Sequence, residues 1–379
     1  MAHKKSLGSN PLAARKRDPV LREMLKGPAG SAEPKADTGP RSAAVVLSGR
    51  GAEAAFEAGV LTGLTSQGGF DAEIFTGVSV GALNAAVLAG HDGDLASATT
   101  RLRGIWLDEL ASDGWTGRNG LYRSRGDPRA FFSPGRLQGA LADLVGDGSH
   151  LVRDALRRGA RVVRSGDDLG PRMLWLADLS SMLSLDPFEA LVARVVDLEA
   201  LRGSRRRLRV ATADWVTGAV DIRDGSGLDG ATGHRRIVAS AARPGIFPCV
   251  EIEGVPCVEA GAFAGSDLNP ALEAGAAELH VPVFLPTRKP GDRPASTIDA
   301  MDRLLSQMHH ARLERELAEL RARRSPGLSV HLYQGGLGAE RSHGFLDLRR
   351  GRVSALIEHG REVALRHDCR SAGCLLGES

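Results

Sequence analysis

Ile74-Phe75-Thr76-Gly77-Val78-Ser79-Val80-Gly81-Ala82-Leu83-Asn84-Ala85-Ala86-Val87-Leu88-Ala89 is the stretch that decides the fold. Ile74–Val78 is rich in β-branched and aromatic residues and reads as a strand, whereas Ala82–Ala89 is built from helix formers. Only Ser79 and its neighbours separate the two, so the chain must turn sharply there. Gly77 and Gly81 leave room for strand and helix to approach each other. The pattern Gly77-x-Ser79-x-Gly81 is weak evidence by itself in a chain with 47 glycines. Its context weighs more, because a nucleophile elbow needs a strand before the serine and a helix after it. Ser79 is the candidate nucleophile; a chance serine in a βα turn is the bland alternative.

The preceding segment repeats the theme. Ala43–Leu47 is a short apolar run, Ser48-Gly49-Arg50-Gly51 a turn, and Ala52–Leu64 helical in composition. Two consecutive strand–turn–helix units indicate an α/β fold with helices on the faces of a mixed, mainly parallel sheet. The amides of Gly49, Arg50, Gly51 and Ala52 are candidate donors to an oxyanion, since acyl transfer builds charge on a carbonyl oxygen. A tight turn that needs glycine only for its geometry explains the same residues. Arginine at position 50 is strained if its φ is positive. Glu53 either opposes an oxyanion nearby or points to solvent at the helix start, where the dipole favours it.

Downstream, residues 90–207 read as helices and loops. Leu208–Ala213 and Ala219–Arg223 look like paired strands, and His234–Ala242 like a helix stopped before Pro244. Val250–Ile252 and Val255–Glu259 flank Glu253-Gly254 as a hairpin. Glu278–Leu285 and Leu328–Tyr333 read as strands, and 296–324 and Val353–Arg366 as helices.

Charge sits unevenly. Residues 1–40 hold eight Lys/Arg against four acids, and the rest of the chain 41 against 42. The near-neutral body lacks the basic face that phosphate-backbone binding requires, so no nucleic-acid partner is expected. Residues 1–40 read as a disordered basic leader without a secretory h-region, and no apolar run reaches the length of a membrane span; a cytoplasmic protein is expected. Arg205-Arg206-Arg207 reads as a solvated face and His309-His310 as surface decoration. Cys369 and Cys374 form a C-x4-C without a visible second ligand pair, so no metal is expected.

Three ordered blocks then point to a family. Val46–Leu61, with Ser48-Gly49-Arg50-Gly51, resembles the opening block of patatin-like phospholipases. Thr76–Ala85 resembles their nucleophile block, and Ala239-Ser240-Ala241-Ala242-Arg243-Pro244-Gly245-Ile246-Phe247-Pro248 the block before their catalytic acid. The resemblance spans roughly 43–365. It implies a three-layer patatin-like domain over 41–290, with 291–379 as a C-terminal helical extension packed on it. It also implies a serine–aspartate dyad without histidine or cofactor, acting on lipid acyl esters, with peripheral membrane contact admitted. The matching acid here is Glu259, one methylene longer than the family's aspartate; Asp267 is a second candidate. Arg50, Glu53 and Ala54 also depart from the family's glycine-rich and basic pattern. Two alternatives stand beside lipid hydrolysis: a degenerate relative that binds lipid or a partner, and a Ser–acid–His triad using His280, His331 or His343.

Overall fold

β1 (Ala43–Leu47) and β2 (Ile74–Gly77) form the middle of the sheet and pair in parallel, with Leu47 opposite Gly77. Their side chains are buried on both faces, which is why they are apolar runs rather than alternating patterns. β1 enters α1 (Ala54–Ser66) through a 3-10 turn at Gly51–Glu53, and β2 enters α2 (Gly81–Ala89) through Ser79. The computed structural model describes residues 42–113, 117–124, 183–230, 232–264, 267–285, 293–294, 297–323, 327–336 and 344–377. The expected leader at 1–40 lies outside them, as does His343.

β3 (Arg207–Asp214) runs parallel to β2 in its first half, with Gly77 opposite Val210. Its other side is taken by β4 (Val220–Asp224), antiparallel. Val210 thus lies between Gly77 and Arg223, and Thr212 between Glu259 and Asp221. Since β4 occupies one side throughout, β2 and β6 (Val255–Glu259) share the other, end to end. β5 (Val250–Ile252) pairs with β6 as the expected hairpin. On the far flank, β7 (Glu278–Phe284) joins β1 and β8 (Ser329–Gly335) joins β7, both parallel. The order is β8-β7-β1-β2-β3-β6-β5, with β4 beside β3.

Helices cover both faces. One face packs Phe56, Phe75, Trp106 and Phe188, each buried, against α1 and α2. Burying one such ring contributes about 2–3 kcal/mol. The other face carries Ala44, Val46, Ile74, Leu279 and Val330 beneath Leu313 and Leu317 of α6 (Thr297–Arg323). Residues beyond 290 are not helices alone: they supply the edge strand β8, and α7 (Arg350–Leu365) buries Val353, Leu356 and Ile357 in the first of these cores. The arginine run at 205–207 is a solvated face only in part, with Arg205 and Arg207 exposed. Arg206 is buried and donates to the His91 carbonyl at 2.8 Å.

Candidate active site

Ser79 has φ 58°, one of two described non-glycine residues in the left-handed region; the other is Glu253 in the hairpin turn. Such a conformation costs on the order of 1–3 kcal/mol and persists only when its surroundings enforce it. The enforcement is visible. Ser79 N–H donates to Ser240 Oγ at 3.0 Å, and the Ser240 hydroxyl donates to the Ala211 carbonyl at 2.9 Å. A Cβ on Gly77 would lie 2.5 Å from Ala82 Cα, and one on Gly81 2.4 Å from the Leu47 carbonyl oxygen. Both expected elbow glycines are therefore sterically required.

The turn after β1 corrects three expectations. Arg50 is extended, with φ −104°, and carries no strain; the positive φ falls on Gly51 at 47°. Gly49 is not an open donor, because its N–H is spent on Glu57 Oε1 at 2.6 Å. Glu53 does not reach solvent: it is buried and bonds Arg50 Nη2 at 2.6 Å. Burial raises the Glu53 pKa, with Arg50 opposing that rise. Arg50, Gly51 and Val80 make no backbone N–H hydrogen bond among the described residues. Val80 is the N-cap of α2, and its open amide is one that sequence reading did not single out.

Beneath the turn, Glu57 is fully enclosed. Its other oxygen accepts from Asn84 Nδ2 at 2.8 Å, and Asn84 Oδ1 accepts from Trp106 Nε1 at 2.9 Å. Burial pushes the Glu57 pKa up to about 8 despite those hydrogen bonds.

Glu259 closes β6 and is buried. Gly77 faces Val210 and Glu259 faces Thr212 along the same side of β3, two residues or about 7 Å apart. A methyl placed on Gly261 would sit 3.3 Å from Glu259 Oε1 and 3.7 Å from Val78 Cγ1, which sets the carboxylate beside the nucleophile turn. The carboxylate itself is gripped by Arg243, Nε to Oε2 at 2.9 Å and Nη2 to Oε1 at 3.4 Å. Arg243 also donates to Asp302 at 2.9 Å, and Arg50 reaches Asp302 at 3.8 Å and the Ser306 hydroxyl. Burial works against the Arg243 charge, but Glu259, Asp302 and Glu53 outweigh it and raise its pKa. The Ser79 hydroxyl has no hydrogen bond among the described residues.

The remaining acids and histidines sort themselves by position. Asp267 is tied to α6, 2.7 Å from Arg312 and 3.0 Å from His309. Burial pushes its pKa up, but His309 and Arg312 prevail and hold it at about 2. His309 is therefore no surface decoration. His280 lies level with Val45 and Phe75, about 13 Å short of Ser79 along the strand direction, and His331 is opposite His280 one strand farther out. Neither is placed to serve Ser79.

A cavity of about 280 Å³ is lined by Glu259, Arg243 and Val78; Ser79, the next residue after Val78, is buried and does not line it. Ser48, Arg50, Arg243 and Glu259 give it polar lining, and Val78, Trp215, Phe263, Met301, Leu304, Leu305 and Met308 apolar lining. Met301, Leu304, Leu305 and Met308 recur at i, i+3, i+4 and i+7 on α6, a stripe that sequence periodicity offers but that reads equally as core. Arg243 was missed as a site residue. Its signal was a lone cation inside the apolar block Ala239–Pro248.

Among solved structures, VipD from Legionella pneumophila is similar at 10% identity and TM-score 0.37, over 86% of this chain and 66% of that one. The type III effector protein ExoU is similar at 14% identity and TM-score 0.25, over 85% and 54%. The chain thus spans just under two thirds of the first and about half of the second. No curated protein matches it. The patatin-like phospholipase profile matches residues 45–273, which hold the Ser48–Ala52 turn, the Ser79 elbow and Glu259. More than half of the chain lies inside that match, and the protein belongs to the patatin-like phospholipase family.

Proposed function

We propose that the protein hydrolyses a fatty acyl ester of a phospholipid, lysophospholipid or neutral lipid through an acyl-serine intermediate. The observation that carries this reading is the end-to-end placement of Gly77 and Glu259 on one side of β3, with Glu259 at a cavity that has apolar lining. Ser79 Oγ attacks the ester carbonyl while Glu259 accepts its proton. The amides of Arg50, Gly51, Ala52 and Val80 face the developing oxyanion. Glu259 returns the proton to the leaving alcohol, and water then releases the acid by the reverse sequence. Within the Arg243 fork, Oε1 is the more loosely held oxygen and lies toward Val78, so it is the one we assign to the proton transfer.

Trp215, Leu304 and Met308 line the cavity and are exposed, the side chains that a lipid interface would accept. None of the described helices is long and apolar enough to cross a membrane, so contact with lipid is assigned to these side chains. A second reading, a relative that binds acyl lipid without cleaving it, is favoured by one observation: Arg243 occupies the carboxylate that should serve Ser79. A fluorophosphonate probe separates the two. Labelling that disappears in Ser79→Ala supports hydrolysis, and absence of labelling on folded protein supports binding alone.

A further inference from the structure

Away from the catalytic cavity, four donors converge on the edge strand. His331 lies on β8, His367 in the turn after α7, and Cys369 and Cys374 at the two ends of the α8 turn (α8, Cys369–Ala372). One donor atom from each lies within 4.8 Å of all the others. Cys369 Sγ is 3.4 Å from His331 Nδ1 and 3.4 Å from His367 Nε2, and Cys374 Sγ is 3.6 Å from His367 Nε2. Tetrahedral zinc, with Zn–N near 2.05 Å and Zn–S near 2.3 Å, separates neighbouring N and S ligands by about 3.5 Å. Three of the nitrogen–sulfur pairs already stand at that spacing, and every pair lies within 4.8 Å. We propose that His331, His367, Cys369 and Cys374 bind a zinc ion that fastens the C-terminal segment to the edge of the sheet.

The surroundings suit such an ion. Glu278 Oε1 lies 3.3 Å from His331 Nε2, which leaves Nδ1 to face the metal, the usual carboxylate–histidine–zinc relay. The Leu332 N–H points at Cys374 Sγ at 3.2 Å, which fixes the position of that sulfur. His280 stacks on His331 at 5.0 Å and 17°, which fixes the plane of that ring. Both thiols are free. Two thiolates with two imidazoles suit zinc rather than a hard oxygen-seeking cation, and four protein ligands close the site against catalysis. The second pair that C-x4-C lacks in the sequence is supplied by β8 and the end of α7.

The role follows from position. β8 has no strand beyond it in the sheet order, and there Val330 and Leu375 exchange two backbone hydrogen bonds, at 2.7 and 3.0 Å. The four ligands straddle that seam, so the ion locks a short terminal segment over an otherwise open edge.

The test uses untagged full-length protein, stripped with chelator and reloaded with zinc or cobalt. Elemental analysis is expected to give about one zinc per chain, and cobalt the thiolate charge-transfer and d–d bands of a tetrahedral site. C369S/C374S should lose both signals while keeping the circular dichroism of the parent and its labelling at Ser79. Should that variant fail to fold, Glu278→Gln is expected to weaken zinc about 10- to 100-fold through the outer hydrogen bond. Zinc retained undiminished by C369S/C374S, no uptake by the parent, or a Cys369–Cys374 disulfide in freshly prepared protein would each overturn the proposal.

Discussion

Arg243 forks onto Glu259 with both side chains buried, the nearer contact 2.9 Å, and the same guanidinium holds Asp302. Arg243→Ala leaves the buried Glu259 carboxylate without a partner and Asp302 with only Arg50 at 3.8 Å, and should destabilise the fold by about 3–5 kcal/mol. Arg243→Lys restores the charge but not the fork, so it should recover only part of that loss. Chemical denaturation of the three proteins checks the order.

Glu259→Gln keeps the size of the acid and removes its basicity. Ester hydrolysis should fall by about 10²–10⁴-fold with little change in substrate binding. His309→Ala, which touches the same cavity from α6, should change the rate far less. The reverse ranking in steady-state assays would favour a histidine base over the dyad.

Ser79 in the left-handed region implies a conflict between stability and reactivity. Ser79→Gly should be more stable than Ser79→Ala by about 1 kcal/mol, because glycine accepts a φ of 58° without a Cβ clash. Both variants should be inactive. Equal melting temperatures for the two would count against strain at this turn.

Glu57 gives stability a pH dependence of a definite sign. Its folded pKa of about 8 lies above the ordinary 4.5, so the folded state holds a proton that the unfolded chain has released between those values. This contribution is complete below pH 4.5 and is lost as pH rises toward 8, with a slope approaching about 1.4 kcal/mol per pH unit. Glu57→Gln should flatten that part of the stability–pH curve in urea titrations.

Replacing Leu304 and Met308 by glutamate puts charge on the cavity lining without touching Ser79 or Glu259. Hydrolysis of vesicle lipid should drop about tenfold or more, while a soluble short-chain ester is processed as before. Vesicle co-sedimentation measures the cause directly.

Local patterns in the chain reveal much of this design. The strand, serine and helix at 74–89 are explicit, as is the hairpin around Glu253-Gly254, where Glu253 takes the positive φ that such a turn demands. What stays hidden is long-range and electrostatic. Asp302 and Ser306 reach Arg50 from about 250 residues away, and no periodicity announces that a charged helix turns those two inward. Position 50 looked strained because the turn needs one positive φ, and only coordinates show that Gly51 supplies it. The zinc ligands escaped for the same reason: His331 meets Cys369 only once β8 is laid against the C-terminal turn.

β3 works as a ruler for the catalytic pair. Because Gly77 and Glu259 are both measured off against it, at Val210 and Thr212, a slip of one residue between β3 and β6 would move the acid by about 3.3 Å and turn its side chain to the opposite face of the sheet.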